Sequence, residues 1–73
     1  MDRERIEGKI LQVLTAIPQG VLYSVPDWSR LLNEDARETR RALGDLESRG
    51  EIQTVKSEAG RSDKPLYKLR NDG

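Results

Sequence analysis

The sequence contains no cysteine and no histidine. Thiol nucleophiles, disulfides, His/Cys zinc sites and histidine general bases are thereby excluded. No apolar run exceeds three residues, as in Val21-Leu22-Tyr23, and a membrane-spanning helix needs about 20. Met1 is followed by Asp2-Arg3-Glu4-Arg5, without the basic stretch and apolar core of a secretory signal, so a cytoplasmic or nucleoid-associated location is expected. The chain is also short. Its 73 residues allow one domain, 1–73, with 71–73 frayed at the end. That length leaves little room for the walled cleft of most enzymes. No glycine loop has phosphate-cradling spacing, and no serine has a histidine to activate it. The adjacent carboxylates Glu34-Asp35 and the pair Asp45/Glu47 fall at helix caps or solvent-facing positions. The reading is therefore of a non-enzyme that needs no cofactor or metal, with no small-molecule ligand evident.

A charge excess is missing too. Thirteen Lys+Arg balance thirteen Asp+Glu, whereas nucleic-acid binders are usually basic overall. The distribution, however, is uneven. Residues 27–38 hold four acids and two bases. Residues 56–70 hold Lys56, Arg61, Lys64, Lys68 and Arg70 against Glu58 and Asp63, a local +3. The neutral total conceals a polarised molecule.

The hydrophobic pattern is present where it is needed. Ile6, Ile10, Val13, Leu14 and Ile17 share one helical face and predict a helix over 2–17. Asp2 suits its start and Pro18 with Gln19-Gly20 its end. Gly8, inside that helix, has no packing reason visible in the sequence. Residues 21–23 suit a brief strand. Ser24-Val25-Pro26-Asp27 matches a capping box opening a second helix that runs to about Asn33, with Trp28, Leu31 and Leu32 inward. Asp35-Ala36-Arg37-Glu38 is a second such box. It opens a third helix that runs to Arg49 and is closed by Gly50. Ala42, Leu43 and Leu46 form its buried stripe, with Ala36 and Thr39 beside them. The few residues between the second and third helices fit a tight helix-turn-helix corner. Residues 51–56 and 66–70 suit the two strands of a hairpin with a long polar tip. The expected core is Ile6, Ile10, Val13, Leu14, Ile17, Leu22, Val25, Trp28, Leu31, Leu32, Ala42, Leu43, Leu46, Ile52, Tyr67 and Leu69.

This α+β order, three helices with a short strand and a C-terminal two-stranded hairpin, resembles the winged helix-turn-helix superfamily. The residues that carry the likeness are Ala42-Leu43-x-x-Leu46-x-x-x-Gly50-x-Ile52, followed by Tyr67-x-Leu69. It extends over nearly the whole chain, and small bacterial and archaeal transcriptional regulators are nearest in size. Domains of the Zα type share the layout. Their helix-three asparagine and tyrosine would fall on Arg40 and Gly44 here, and their double proline before a wing tryptophan is reduced to Pro65-Leu66-Tyr67. Their activity is therefore not implied.

What the resemblance implies is sequence-specific binding of double-stranded DNA, with helix 36–49 in the major groove and the 57–65 wing on the backbone. The side-chain pattern supplies candidates. On a helical wheel Arg37, Arg41, Gly44 and Ser48 lie opposite the apolar stripe, with Arg40 on the flank. Arg61 and Lys64 in the wing suit phosphate contacts. Two other arrangements compete. Arg37 and Arg41 can sit on a solvated face, paired with Glu38, Glu34 or Asp45. Alternatively the scaffold serves protein–protein contact, through segment 27–38 or through a first helix whose Arg3, Glu4, Arg5 and Glu7 balance in charge. A monomer is expected in solution, with a homodimer on DNA possible and Leu11 its apolar contact.

Overall fold

The computed structural model describes residues 2–55 and 64–70, with side chains from residue 4 onward. In chain order its elements are α1 (Asp2–Ala16), β1 (Val21–Leu22), α2 (Val25–Leu32), α3 (Ala36–Ser48), β2 (Ile52–Val55) and β3 (Leu66–Leu69). Three helices pack on a three-stranded antiparallel sheet of order β1-β3-β2. No described helix is long and apolar enough to cross a membrane.

Local chemistry explains the helix boundaries. Ser24 caps α2 reciprocally with Asp27. The Ser24 hydroxyl accepts from the Asp27 N–H at 3.2 Å, and the Asp27 carboxylate accepts from the Ser24 N–H at 3.0 Å. Asn33 ends α2 in the left-handed region, at φ 56, a conformation that asparagine tolerates better than most residues. Asp35 caps α3 by accepting from the Glu38 N–H at 3.1 Å. Gly50 closes α3 at φ 75, with the Glu51 N–H on Leu46 O at 2.9 Å and the Gly50 N–H on Glu47 O at 3.0 Å. These two bonds form a Schellman closure. Asp2 is the first residue of α1 and not a cap preceding it.

The core is Ile6, Ile10 and Leu14 of α1, Val21, Trp28 and Leu32, Ala42, Leu43 and Leu46 of α3, Ile52 and Tyr67. Leu11, Val13, Ile17, Tyr23, Val25 and Leu69 pack around it, half-buried. Helix α3 is the hub, against which α1 and α2 both pack. Trp28 lies edge-on to Tyr23 (5.2 Å between ring centroids) and to Tyr67 (5.8 Å).

Three expectations need correction. Leu22 is 58% exposed and Leu31 51% exposed, so neither belongs to the core. In β1 the alternation puts Val21, opposite Tyr67, on the inner face and turns Leu22, opposite Leu66, outward. In α2 the inward line runs through Trp28 and Leu32, and Leu31 sits about 100° around the helix from Leu32. Ala36 is exposed, and Thr39 takes the buried place, its hydroxyl donating to Asp35 O at 2.8 Å. Leu11, the apolar contact expected for a dimer, is half-buried against the core.

The sheet is also larger than a two-stranded hairpin, because β1 pairs with β3. Gly20 makes this possible. Its φ is 95, and a Cβ there would stand 2.7 Å from the Tyr67 carbonyl oxygen. The outer sheet face carries a row across all three strands, Leu22–Leu66–Val55.

Candidate functional site

Helix α3 buries Thr39, Ala42, Leu43 and Leu46. That phase turns Arg37, Arg40, Arg41, Gly44 and Ser48 outward, and all five are exposed. The structure thus brings the five helix-borne candidates together on one surface. Arg37, Arg41, Gly44 and Ser48 lie within a narrow arc opposite the core. Arg40 and Glu47 occupy the flank nearer the sheet, where both act on Tyr67. Burial pushes the Tyr67 hydroxyl above its ordinary value; the Glu47 charge adds to this and Arg40 opposes it. A shallow concavity of about 230 Å³ is lined by Ala36, Arg37 and Arg40. A second, of about 340 Å³, lies along Glu47, Ile52, Gln53, Thr54 and Arg70.

Among the described residues, Arg37, Arg40 and Arg41 have no carboxylate within ion-pair distance. Of the acids proposed to neutralise them, Glu34 is engaged elsewhere. Glu34 accepts from Arg5 Nη2 at 2.9 Å, Arg5 Nε at 3.2 Å and Lys9 Nζ at 2.6 Å. These bonds hold its carboxyl below the usual value, Lys9 contributing most and Arg5 next. Lys9 also donates to Leu32 O at 3.1 Å, so one ammonium ties α1 to the end of α2. Glu7, buried on α1, receives Arg49, which reaches on to Glu51 at 2.9 Å. The Glu7 bond raises the Arg49 pKa above its ordinary value. Arg5 and Glu7 therefore fasten α1 to the rest of the fold.

Lys64 is the first residue described after the 56–63 segment. It stands just before β3, half-buried, with its ammonium 3.4 Å from Asp27 Oδ2. Asp27 also pairs with Arg30 at 3.2 Å. Its pKa falls from 3.8 to about 2, chiefly through the Ser24 backbone N–H, with Ser24 Oγ and Lys64 assisting. Arg61, and the segment 56–63 in which it sits, lie outside the described residues.

Sequence reasoning missed that Glu34 takes the α1 cations Arg5 and Lys9, and that Glu7 receives Arg49. The i, i+4 spacing of Arg5 and Lys9 is a faint signal that the two act together, but nothing local names their partner. The sequence matches no protein-family model. Nor does it match any curated protein.

Proposed function

We propose that the chain is a winged helix-turn-helix domain that binds double-stranded DNA sequence-specifically and acts as a transcriptional regulator. In this reading α3 enters the major groove with Arg37 and Arg41 leading, Arg40 touches backbone, and Ser48 lies further along the groove. The observation that supports it is the segregation of charge. The cations Arg5, Lys9, Arg30, Arg49 and Lys64 are matched to acids, whereas three arginines on the outward face of one helix have no ion-pair partner among the described residues. An unmatched arginine cluster near a helix N-terminus suits phosphate and base edges, because guanidinium groups bond them bidentately and the helix dipole adds positive potential. Internal pairs engage Arg5, Lys9, Arg30, Arg49 and Lys64 with Glu7, Asp27, Glu34 and Glu51 and so leave the total near neutral; what supports the reading is where the α3 arginines sit.

The test is a duplex titration of wild type and of the Arg37→Ala/Arg41→Ala variant, with circular dichroism to confirm that both are folded. Wild type should bind and the folded variant should bind far less. A wild type that binds no duplex at low salt sinks the reading. A protein-contact module is the second reading, favoured by the outer row Leu22–Leu66–Val55, in which Leu22 and Val55 are exposed.

A further inference from the structure

Two glycines lie inside helices, Gly8 in α1 and Gly44 in α3. Neither has a positive φ, which among the described glycines is confined to Gly20 and Gly50. A Cβ built on Gly8 or Gly44 meets nothing within 4 Å, and both positions are exposed. Glycine is the worst helix former after proline, and exposed interior positions gain from alanine. Nothing among the described residues therefore calls for glycine at either place.

Their surroundings differ. Gly44 lies on the outward arc of α3, one turn from Arg40 and Arg41 and one turn from Ser48. At about 1.5 Å of rise per residue it is about 10 Å along the helix from Arg37. Long side chains thus stand to one side of a bare patch of backbone. A rod laid into a groove approaches the floor most closely at the middle of its contact face. Arginines can reach base edges from a raised helix, but a helix that seats deeply needs a gap in its side-chain layer.

We propose that Gly44 is where α3 meets the floor of the major groove, and that its missing side chain makes room there for a protruding base edge, of which the thymine methyl is the bulkiest. The proposal rests on the DNA-binding reading above and adds the close-approach point. Gly8, on a helix with no role in that reading, is its internal control.

The experiment begins by selecting a preferred duplex with the wild-type protein from a random-sequence pool. Wild type, Gly44→Ala and Gly8→Ala are then titrated with that duplex and with random-sequence duplex, and melted in parallel. Both alanine variants should melt higher, by about 4–8 °C. Gly8→Ala should bind the selected duplex as wild type does. Gly44→Ala should lose about tenfold or more on the selected duplex, the scale of one base contact. It should lose little on random duplex, where backbone charge dominates. A stabilised Gly44→Ala that binds the selected duplex as tightly as wild type overturns the proposal and leaves the DNA reading standing. So does a Gly44→Ala that melts lower than wild type, since the glycine would then have an internal reason. A wild type that enriches no sequence, or binds no duplex, overturns both.

Discussion

Helices α1 and α3 each carry three or more basic residues, yet the two sets do different work. On α1, Arg5 and Lys9 converge on Glu34, and the neighbouring Glu7 receives Arg49. On α3, Arg37, Arg40 and Arg41 face outward with no acid in reach among the described residues. The residue types are the same, and only the placement of carboxylates differs. A formal charge of zero is therefore a poor guide to what a surface offers a partner. What counts is where the charges outside internal pairs are placed.

Substitutions can break or sharpen this contrast. The largest effect is expected where the arginines are unmatched. Arg37→Ala with Arg41→Ala should remove roughly 2–6 kcal/mol of specific DNA binding, at ~1–3 per base-reading contact, and leave the melting midpoint nearly unchanged. Equal binding by the folded double variant would move the interface off α3. The buried side of the same helix should behave in the opposite sense. Leu46 is fully buried, and Leu46→Ala should cost about 2–5 kcal/mol of stability in urea or thermal unfolding. The exposed Leu31, changed to alanine, should shift stability by no more than about 0.5 kcal/mol. Comparable losses from the two leucines would contradict the burial pattern.

A smaller effect is expected on α1. Arg5→Ala with Lys9→Ala should lower the melting midpoint, and binding measured on the folded fraction should stay at the wild-type level. A loss of affinity without a loss of stability would show that these cations also face the partner. Smaller again is the response to acid. Asp27 and Glu34 both have depressed pKa values in the folded chain, so folding favours their ionised forms. Their contribution is complete above the ordinary values of 3.8 and 4.5 and is lost as the pH falls, for Asp27 toward about 2. Thermal midpoints followed from about pH 6 down to pH 2 should therefore decline through that window, and less steeply for Asp27→Asn. A midpoint in wild type that is flat across the window would remove both carboxylates from the ledger of folding.

Much of this architecture is legible in the chain because it is local. The capping serine and aspartate of α2, Asp35, the closing Gly50 and the Leu43–Leu46 stripe all act within a turn or two of helix, and the phase they set is enough to place Arg37, Arg41, Gly44 and Ser48 outward. What is not legible depends on distance along the chain. Val21 and Leu22 look interchangeable until the pairing of β1 with β3 decides which one faces inward. Glu34 looks available to Arg37 until Arg5, 29 residues away, takes it. Lys64 lies beside Asp27, 37 residues away, a contact that no local pattern announces. The outward surface of α3 is thus written in its periodicity, and the engagement of Glu34 elsewhere is a property of the tertiary fold.

The aromatic cluster has a practical consequence. The chain's one tryptophan and two tyrosines are all in it. Tyr23 stands before α2, Trp28 within it and Tyr67 on β3, so one chromophore group joins the helical half to the sheet. Trp28 is fully buried, and its ring N–H has no hydrogen-bond partner among the described residues. At these separations light absorbed by either tyrosine passes to the indole, and the folded protein should emit almost only as tryptophan. Opening the sheet away from α2 would release a tyrosine band while the helical ellipticity persisted. The domain carries its own optical gauge of whether its sheet and helices come apart together or one before the other.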